Sequence, residues 1–338
     1  MDGIRVGMIG TGYWGPNLIR NFVDIPKSEL VMVADLKQDR LEKIRKSYPT
    51  ILTTRDYTAF FNQKLDAAVI ATPPSTHFPI AKACLEHGLH VLVEKPLTLS
   101  SAHANELIEL AEKKGLVLMV GHTFLYNQAV HSMKDLIDRG DLGKVYYLDA
   151  ARLNLGLFSR DLNVLWDLAP HDVSILLFLL DKLPLAVSAL GSSCAFNGIY
   201  DVAYVNMVFP DNIMAHIHVS WLDPCKVRRV TVVGSKKMVV LNDIEALEKI
   251  KIYDKGVDAP EHSDNFGEFQ FSYRYGDILI PNIRQVEPLK MECQDFLDCI
   301  IQHKKPCSDG EVGLNVVKIL EAAQKSLSNS GRMEELSW

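Results

Sequence analysis

Three glycines near the N-terminus constrain this chain more than anything else in it. The stretch Ile4-Arg-Val-Gly-Met-Ile-Gly10-Thr-Gly12-Tyr-Trp-Gly15 sets G-x-G-x-x-G between a short apolar strand pattern, Ile4–Ile9, and a helix pattern, Trp14–Val23. Pro16 is tolerated in the first helical turn, where the N–H it lacks has no helical partner. Gly10 permits a tight turn, Gly12 leaves the backbone bare for a diphosphate, and Gly15 lets the helix pack on the strand. The helix then presents free N–H groups and the positive end of its dipole to the phosphates. A plain turn accounts for one glycine but not three. Asp35 ends the next strand pattern, Leu30–Ala34, 20 residues after Gly15. Its carboxylate can accept hydrogen bonds from both ribose hydroxyls and repels a 2′-phosphate, so the expected cofactor is NAD rather than NADP. Gly10, Gly12, Tyr13, Trp14, Gly15 and Asp35 are the candidate contacts in this region.

The chain around this loop alternates strand and helix. Strand patterns at Ala67–Ala71, His90–Val93 and Leu116–Val120 are interleaved with helix patterns at Leu41–Ser47, Thr76–His87 and Ala102–Lys114. Gly88 and Gly115 stand where helix-ending glycines belong. Short apolar runs separated by helices predict α/β, a doubly wound parallel sheet, over residues 1–124. The rhythm then changes. A helix at Val130–Arg139 is followed by strand patterns at Val145–Leu153, Ala186–Ser192, Ala203–Phe209, Ile213–Trp221, Arg229–Val233 and Met238–Leu241, with one helix at Asp172–Leu180. These strands look antiparallel, and residues 125–338 read as an α+β domain. Asp254–Pro281 is polar and aromatic without period and reads as a long loop. Helix patterns at Glu292–Gln302 and Val312–Ser328 close the chain, and these helices can pack back on the first domain.

Composition narrows the partners. A chain of 338 residues suits two domains. The net charge of −6 argues against nucleic acid or an anionic membrane. The longest apolar run, Val173–Leu180, falls well short of the ~18 residues of a membrane span. The N-terminus enters a strand without a basic leader or an apolar segment, so a cytoplasmic protein is expected. Its six cysteines are scattered, with no C-x-x-C pair, as in free thiols of a reducing compartment.

Two further motifs lie at strand ends, where such sheets place ligands. Thr72, Pro73 and His77 follow the Ala67–Ala71 run, and Glu94-Lys95-Pro96 follows the next strand. Lys95 can hold a hydroxyl oxygen or serve as a buried ionisable group, or it can be a plain loop lysine. A third motif, Asp167-Leu-Ala-Pro-His171-Asp172, carries an imidazole suited to taking a proton near neutral pH. Asp167 and His171 are one helical turn apart if this stretch is helical. Pro170 argues instead that both sit on the entry turn of the helix that follows.

The glycine loop, Glu94-Lys95-Pro96 and Asp167…His171, in this order and at this spacing, resemble the glucose–fructose oxidoreductase / inositol dehydrogenase (Gfo/Idh/MocA) family over essentially the whole chain. The resemblance implies a Rossmann domain followed by a domain with a large open, mostly antiparallel sheet. It also implies hydride transfer between NAD(P) and a carbinol carbon of a sugar or polyol. Lys95, His171 and Asp167 match the catalytic positions. Lys95 would hold the hydroxyl oxygen, His171 would take its proton, and Asp167 would orient the substrate or the imidazole. Thr72, Pro73, His77, Glu94 and Lys95 join the cofactor contacts.

Gly12–Phe22, Val120–Asn127 and Trp166–His171 are similar to a branch of WlbA-like nucleotide-sugar 3-dehydrogenases. This implies oxidation at C3 of a UDP-N-acetylhexosamine or its uronate. His122, Arg152, Asn154, Asn163 and Trp166 are the candidate substrate contacts. Lys226, Arg228 and Arg229 either meet a pyrophosphate or line a solvated strand edge. His216 and His218 share a strand face but lack a third ligand at a fitting spacing, so no metal is expected. The alternation in Val202–Phe209 and Ile213–Trp221 leaves Val, Met, Ile and Trp on one sheet face. With helices on the other face, this one is expected to be buried in a homodimer or homotetramer, as is usual in the family. An inositol-type dehydrogenase and an NAD-dependent glycosidase remain as alternatives. A non-catalytic NAD-sensing regulator would have no need of Lys95 and His171.

Overall fold

The apolar runs of the first unit become β1 (Ile4–Ile9), β2 (Ser28–Ala34), β3 (Leu52–Thr54), β4 (Ala67–Ile70), β5 (His90–Glu94) and β6 (Leu118–Gly121). All are parallel, in the order β3-β2-β1-β4-β5-β6. The order reverses between β1 and β4, and the loops leaving these strands frame the crevice where doubly wound sheets take ligands. Helices α1 (Gly15–Asp24), α2 (Gln38–Ser47), α3 (His77–Glu86) and α4 (Ser101–Lys114) connect the strands. Val6, Met8, Ala68, Val69, Val91 and Val93 are fully buried. Adjacent residues of the central strands are therefore covered on both faces, and for this reason the runs are continuously apolar rather than alternating. The computed structural model describes residues 3–156, 158–159, 161–195, 197–258 and 272–338.

The second unit begins with α5 (Gln128–Asp138), β7 (Val145–Leu155) and α6 (Val164–Leu180). It continues with β8 (Ala186–Ser192), β9 (Val202–Phe209), β10 (Ile213–Ser220), β11 (Leu222–Gly234), β12 (Met238–Asn242), β13 (Ile250–Asp258) and β14 (Ser272–Leu279), and ends with β15 (Glu334–Glu335). Their sheet runs β14-β13-β12-β11-β7-β10-β9-β8-β15 and is antiparallel except for the β7–β10 pair. This is α/β followed by a large, mostly antiparallel sheet. Among the described residues, no helix is long and apolar enough to cross a membrane.

Three expectations are corrected. The loop expected over Asp254–Pro281 contains most of the β13–β14 hairpin, while residues 259–271 lie outside the described residues. The edge strand β14 is exposed along nearly its whole length, so it has no inward and outward alternation to read. The helix expected from Asp172 starts at Val164. Pro170 removes one N–H, and the carbonyl of Trp166 loses its helical donor. Burial of Leu165, Val173, Leu176 and Leu179, each about 1.5–3 kcal/mol, offsets that loss. The apolar face of β9 and β10 lies beneath α6, with Val205, Met207, Ile217 and Val219 all buried. The other face carries Tyr204, Asn206, Met214, His216 and His218.

The closing helices pack back on the first unit, as the sequence allowed. Helix α7 (Pro288–Gln302) and most of α8 (Gly310–Ser328) do not belong to the second unit. The first unit comprises Met1–Tyr126 and Val286–Glu321, and the second Asn127–Gln285 and Ala322–Trp338. Phe296 of α7 meets Phe22 of α1 edge to face at 6.5 Å, and Arg20 pairs with Glu287. Leu314 of α8 joins the core around Leu97 and Val120.

Candidate cofactor and catalytic site

The glycine loop separates into two kinds of glycine. Gly10 has φ +94°, and a Cβ there would stand 2.5 Å from the carbonyl oxygen of Ala71. A Cβ on Gly15 would stand 2.4 Å from the carbonyl oxygen of Gly10. Both are required by the fold itself. A Cβ on Gly12 would meet only a guanidinium nitrogen of Arg40, at 3.6 Å, so nothing in the protein demands glycine there. That bare backbone fits a diphosphate lying on the loop. Trp14 is the N-cap residue of α1 and makes no capping bond from its own side chain. Tyr13 is 84% exposed and Trp14 37%, so both rings are open to a ligand.

Asp35 is held by a network the sequence did not reveal. Oδ2 accepts from the Thr11 N–H at 2.7 Å, the Thr11 hydroxyl at 2.8 Å and Arg40 at 3.3 Å; Oδ1 accepts from the Lys37 N–H at 2.8 Å. Burial opposes the charge, but the donors of Lys37 and Thr11 outweigh it and hold the carboxyl below its usual range. With Oδ2 filled, the acceptor position left for a ribose hydroxyl is on Oδ1, one rather than two. Thr11 is the variable residue between the first two glycines. Arg40 lies five positions after Asp35, in the first turn of α2.

At the end of β4, the Thr76 hydroxyl lies 2.7 Å from both the Thr72 hydroxyl and the carbonyl of Pro73. His77 does not face this loop's open side. Its ring is fully buried, with Nδ1 2.8 Å from the carbonyl oxygen of Pro96 and Nε2 2.9 Å from that of Thr72. It ties the loop after β4 to the loop after β5, which corrects its assignment as a cofactor contact. Lys95 stands at the carboxyl end of β5, and its bond to Pro96 is cis. Glu94 pairs in register with Gly121, and a Cβ on that glycine would crowd the Glu94 carboxylate at 3.0 Å. His122, expected to touch substrate, is fully enclosed, and neither ring nitrogen has a hydrogen-bond partner. Burial, aided by the charge of Lys95, pushes its pKa down to about 3.

In the second unit, Asp167 and His171 occupy one face of α6, one turn apart and both half-buried. Trp221, which the sequence did not mark, donates its indole N–H to Asp167 Oδ2 at 3.0 Å. Two candidate substrate contacts have structural work instead. Asn163 caps α6 by accepting from the Trp166 N–H, and its amide donates to Gln324 at 2.7 Å. Arg152 makes a two-pronged bond to Asp172, at 2.8 and 2.9 Å, with both side chains buried. A buried carboxylate beside His171 requires such a partner, and this claims the arginine. Trp166 is buried in the first turn of α6. Asn154 keeps a buried Oδ1 with no partner among the described residues. Arg228 and Arg229 approach Asp243 and Asp149, each at 3.8 Å. His216 bonds Asn206, and the ring of Tyr204 stacks on those of both His216 and His218.

Residues 4–122 match the model of an oxidoreductase family with an NAD-binding Rossmann fold, and residues 130–240 match the C-terminal domain of the same family. The chain is 26% identical over 327 residues to UDP-N-acetylglucosamine 3-dehydrogenase of Acidithiobacillus ferrooxidans, covering 93% of this chain and 94% of that one. A solved structure of that enzyme superposes with a TM-score of 0.79 over 97% of this chain and 99% of the other. An uncharacterized oxidoreductase of Escherichia coli, YdgJ, is 35% identical over 190 residues, 52% of this chain and 54% of its own. Myo-inositol 2-dehydrogenase of Thermotoga maritima is 23% identical over 98% of this chain and 99% of its own. The two successive family matches, the reversed strand order and the unobstructed backbone at Gly12 agree: this chain is an NAD-binding oxidoreductase of the Gfo/Idh/MocA family.

Proposed function

We propose that this chain is an NAD-dependent dehydrogenase that oxidises a secondary alcohol of a sugar, with C3 of a UDP-N-acetylhexosamine or its uronate as the substrate position. One observation carries the reading. Lys95 follows the carboxyl end of β5, two strands from the strand that delivers the glycine loop, on the side of the sheet where doubly wound folds take ligands. When bound, NAD accepts the carbinol hydrogen as a hydride. Lys95 holds the hydroxyl oxygen and stabilises alkoxide character, and His171 takes the hydroxyl proton. Asp167, fixed by Trp221, orients substrate or imidazole. Trp166 and Asn154 serve the sugar side.

The likeness to the Acidithiobacillus enzyme along nearly the whole chain supports a nucleotide sugar. The exposed sheet face with Tyr147, Tyr204 and Met214 is the surface we assign to a homodimer or homotetramer, which light scattering tests. Six free cysteines accord with a cytoplasmic setting. The substrate test is absorbance of the reduced nicotinamide against a panel of UDP-sugars and free polyols, with Lys95→Ala as control. Turnover of UDP-N-acetylglucosamine or its uronate supports the reading. Turnover of a free polyol alone overturns it.

A further inference from the structure

Within electrostatic reach of Lys95 lies a buried polar cluster that the proposed reaction does not use. Glu94 lays its carboxylate across Gly121 of the neighbouring strand, and His122 follows, fully buried with both nitrogens unpartnered. One 3₁₀ turn, Thr123–Tyr126, then packs on α7. From α7 comes Glu292, fully buried, with neither carboxylate oxygen in a hydrogen bond. Oε1 of Glu94 has no partner either. The side chains of Trp14 and Thr123 approach Glu94 and Glu292 without reaching ordinary hydrogen-bond geometry. One turn beyond Glu292, Asp295 accepts from the Tyr126 hydroxyl at 2.7 Å, so that carboxylate is satisfied. The charged and titratable groups around Glu292 are thus Glu94 from β5, Tyr126, and Cys293 and Asp295 from its own helix, while Lys95 acts on Glu94 and on His122 at the end of β6.

Two carboxylates enclosed this way cannot both ionise at small cost. Each buried acceptor left unmet is costly. Burial pushes both carboxyls upward; the charge of Glu94 pushes Glu292 further, while Lys95 draws Glu94 back. The ammonium thus sets which carboxylate keeps the charge.

We propose that Glu292 is a positioning residue for Lys95: Glu94 and Glu292 hold one proton between them, so the ammonium is set against a single negative charge centred on Glu94. Two full charges would draw the ammonium inward and compete with a substrate hydroxyl. The functional part of this inference rests on the reading of Lys95 as the residue that holds the hydroxyl oxygen.

Infrared difference spectroscopy of the intact protein at neutral pH tests it, with the double variant Glu94→Gln, Glu292→Gln as baseline. Wild type is expected to show one protonated-carboxyl C=O band, and Glu292→Gln none, because Glu94 then ionises against Lys95. Lys95→Met removes the opposing charge, and the pair takes up a second proton, so the band grows about twofold. A wild type without the band, a band persisting in Glu292→Gln, or an unchanged band in Lys95→Met overturns the proposal. A purely structural role for Glu292 does not couple its proton to Lys95. Thermal melting of each variant confirms that folded protein is compared. No substrate enters these spectra, so a mistaken substrate leaves their result standing.

Discussion

The glycine loop and the start of α6 are both short motifs of marked residues, yet the structure specifies them in opposite ways. In the loop the constraint is local backbone geometry. Carbonyl oxygens stand 2.5 and 2.4 Å from the missing Cβ atoms of Gly10 and Gly15, while Gly12 meets nothing closer than 3.6 Å. In α6 the constraint comes from distant side chains: Trp221 on Asp167, Arg152 on Asp172, and Gln324 on Asn163. Fold and ligand needs are therefore separable residue by residue in the loop. In α6 they are interleaved, with a proposed base beside a buried ion pair.

That contrast can be broken by substitution. The largest effect is expected at His171: replacement by Ala should lower kcat by about 10²–10⁴-fold while NAD affinity, measured by fluorescence titration, stays unchanged. A lost cofactor affinity would show that α6 does not separate chemistry from binding. Next is the neighbouring pair. Arg152→Met strands a buried carboxylate and should cost about 3–5 kcal/mol of stability by denaturant unfolding. Adding Asp172→Leu should restore much of it, because both charges are then gone. If the double variant is no better than the single, the arginine has another essential partner.

The loop should behave differently. Gly15→Ala forces a Cβ against a backbone carbonyl and should cost about 1–3 kcal/mol or more. Gly12→Ala should melt within about 0.5 kcal/mol of wild type yet lose NAD affinity. Equal melting losses at the two positions would erase the distinction between fold glycines and the ligand glycine. The smallest effect is acid linkage at Asp35. Its carboxyl is lowered in the folded state, so its contribution is present above the unfolded value of about 3.9 and is lost as pH falls through the folded value. Asp35→Asn should flatten the acid side of the stability curve below about pH 4, with little change at neutrality.

What was legible in the sequence follows the same division. The parallel sheet could be read because strands buried on both faces are continuous apolar runs, and the glycine loop because its requirements lie within six residues. The helix across Pro170 could not, since burial of α6 against the sheet outweighs a local breaker. Nor could β14, an exposed edge with no alternation. Arg152 and Asn163 were legible as polar groups near the motif, but their partners Asp172 and Gln324 are set by tertiary packing. Glu292 stood in a recognisable helix, but nothing in that helix shows that it comes near Glu94 of the first sheet. His77 was marked by its position after β4, and only the two carbonyls on its ring show it to be a strut.

The central claim is that a sugar carbinol hydrogen passes to NAD. Its most direct test is a single turnover with UDP-N-acetylglucosamine deuterated at C3, followed by mass analysis of the nicotinamide. Deuterium is expected on the reduced cofactor in wild type, forming about 10²–10⁴-fold more slowly in His171→Ala. Reduced cofactor without deuterium, or deuterium delivered only from a labelled free polyol, would contradict it.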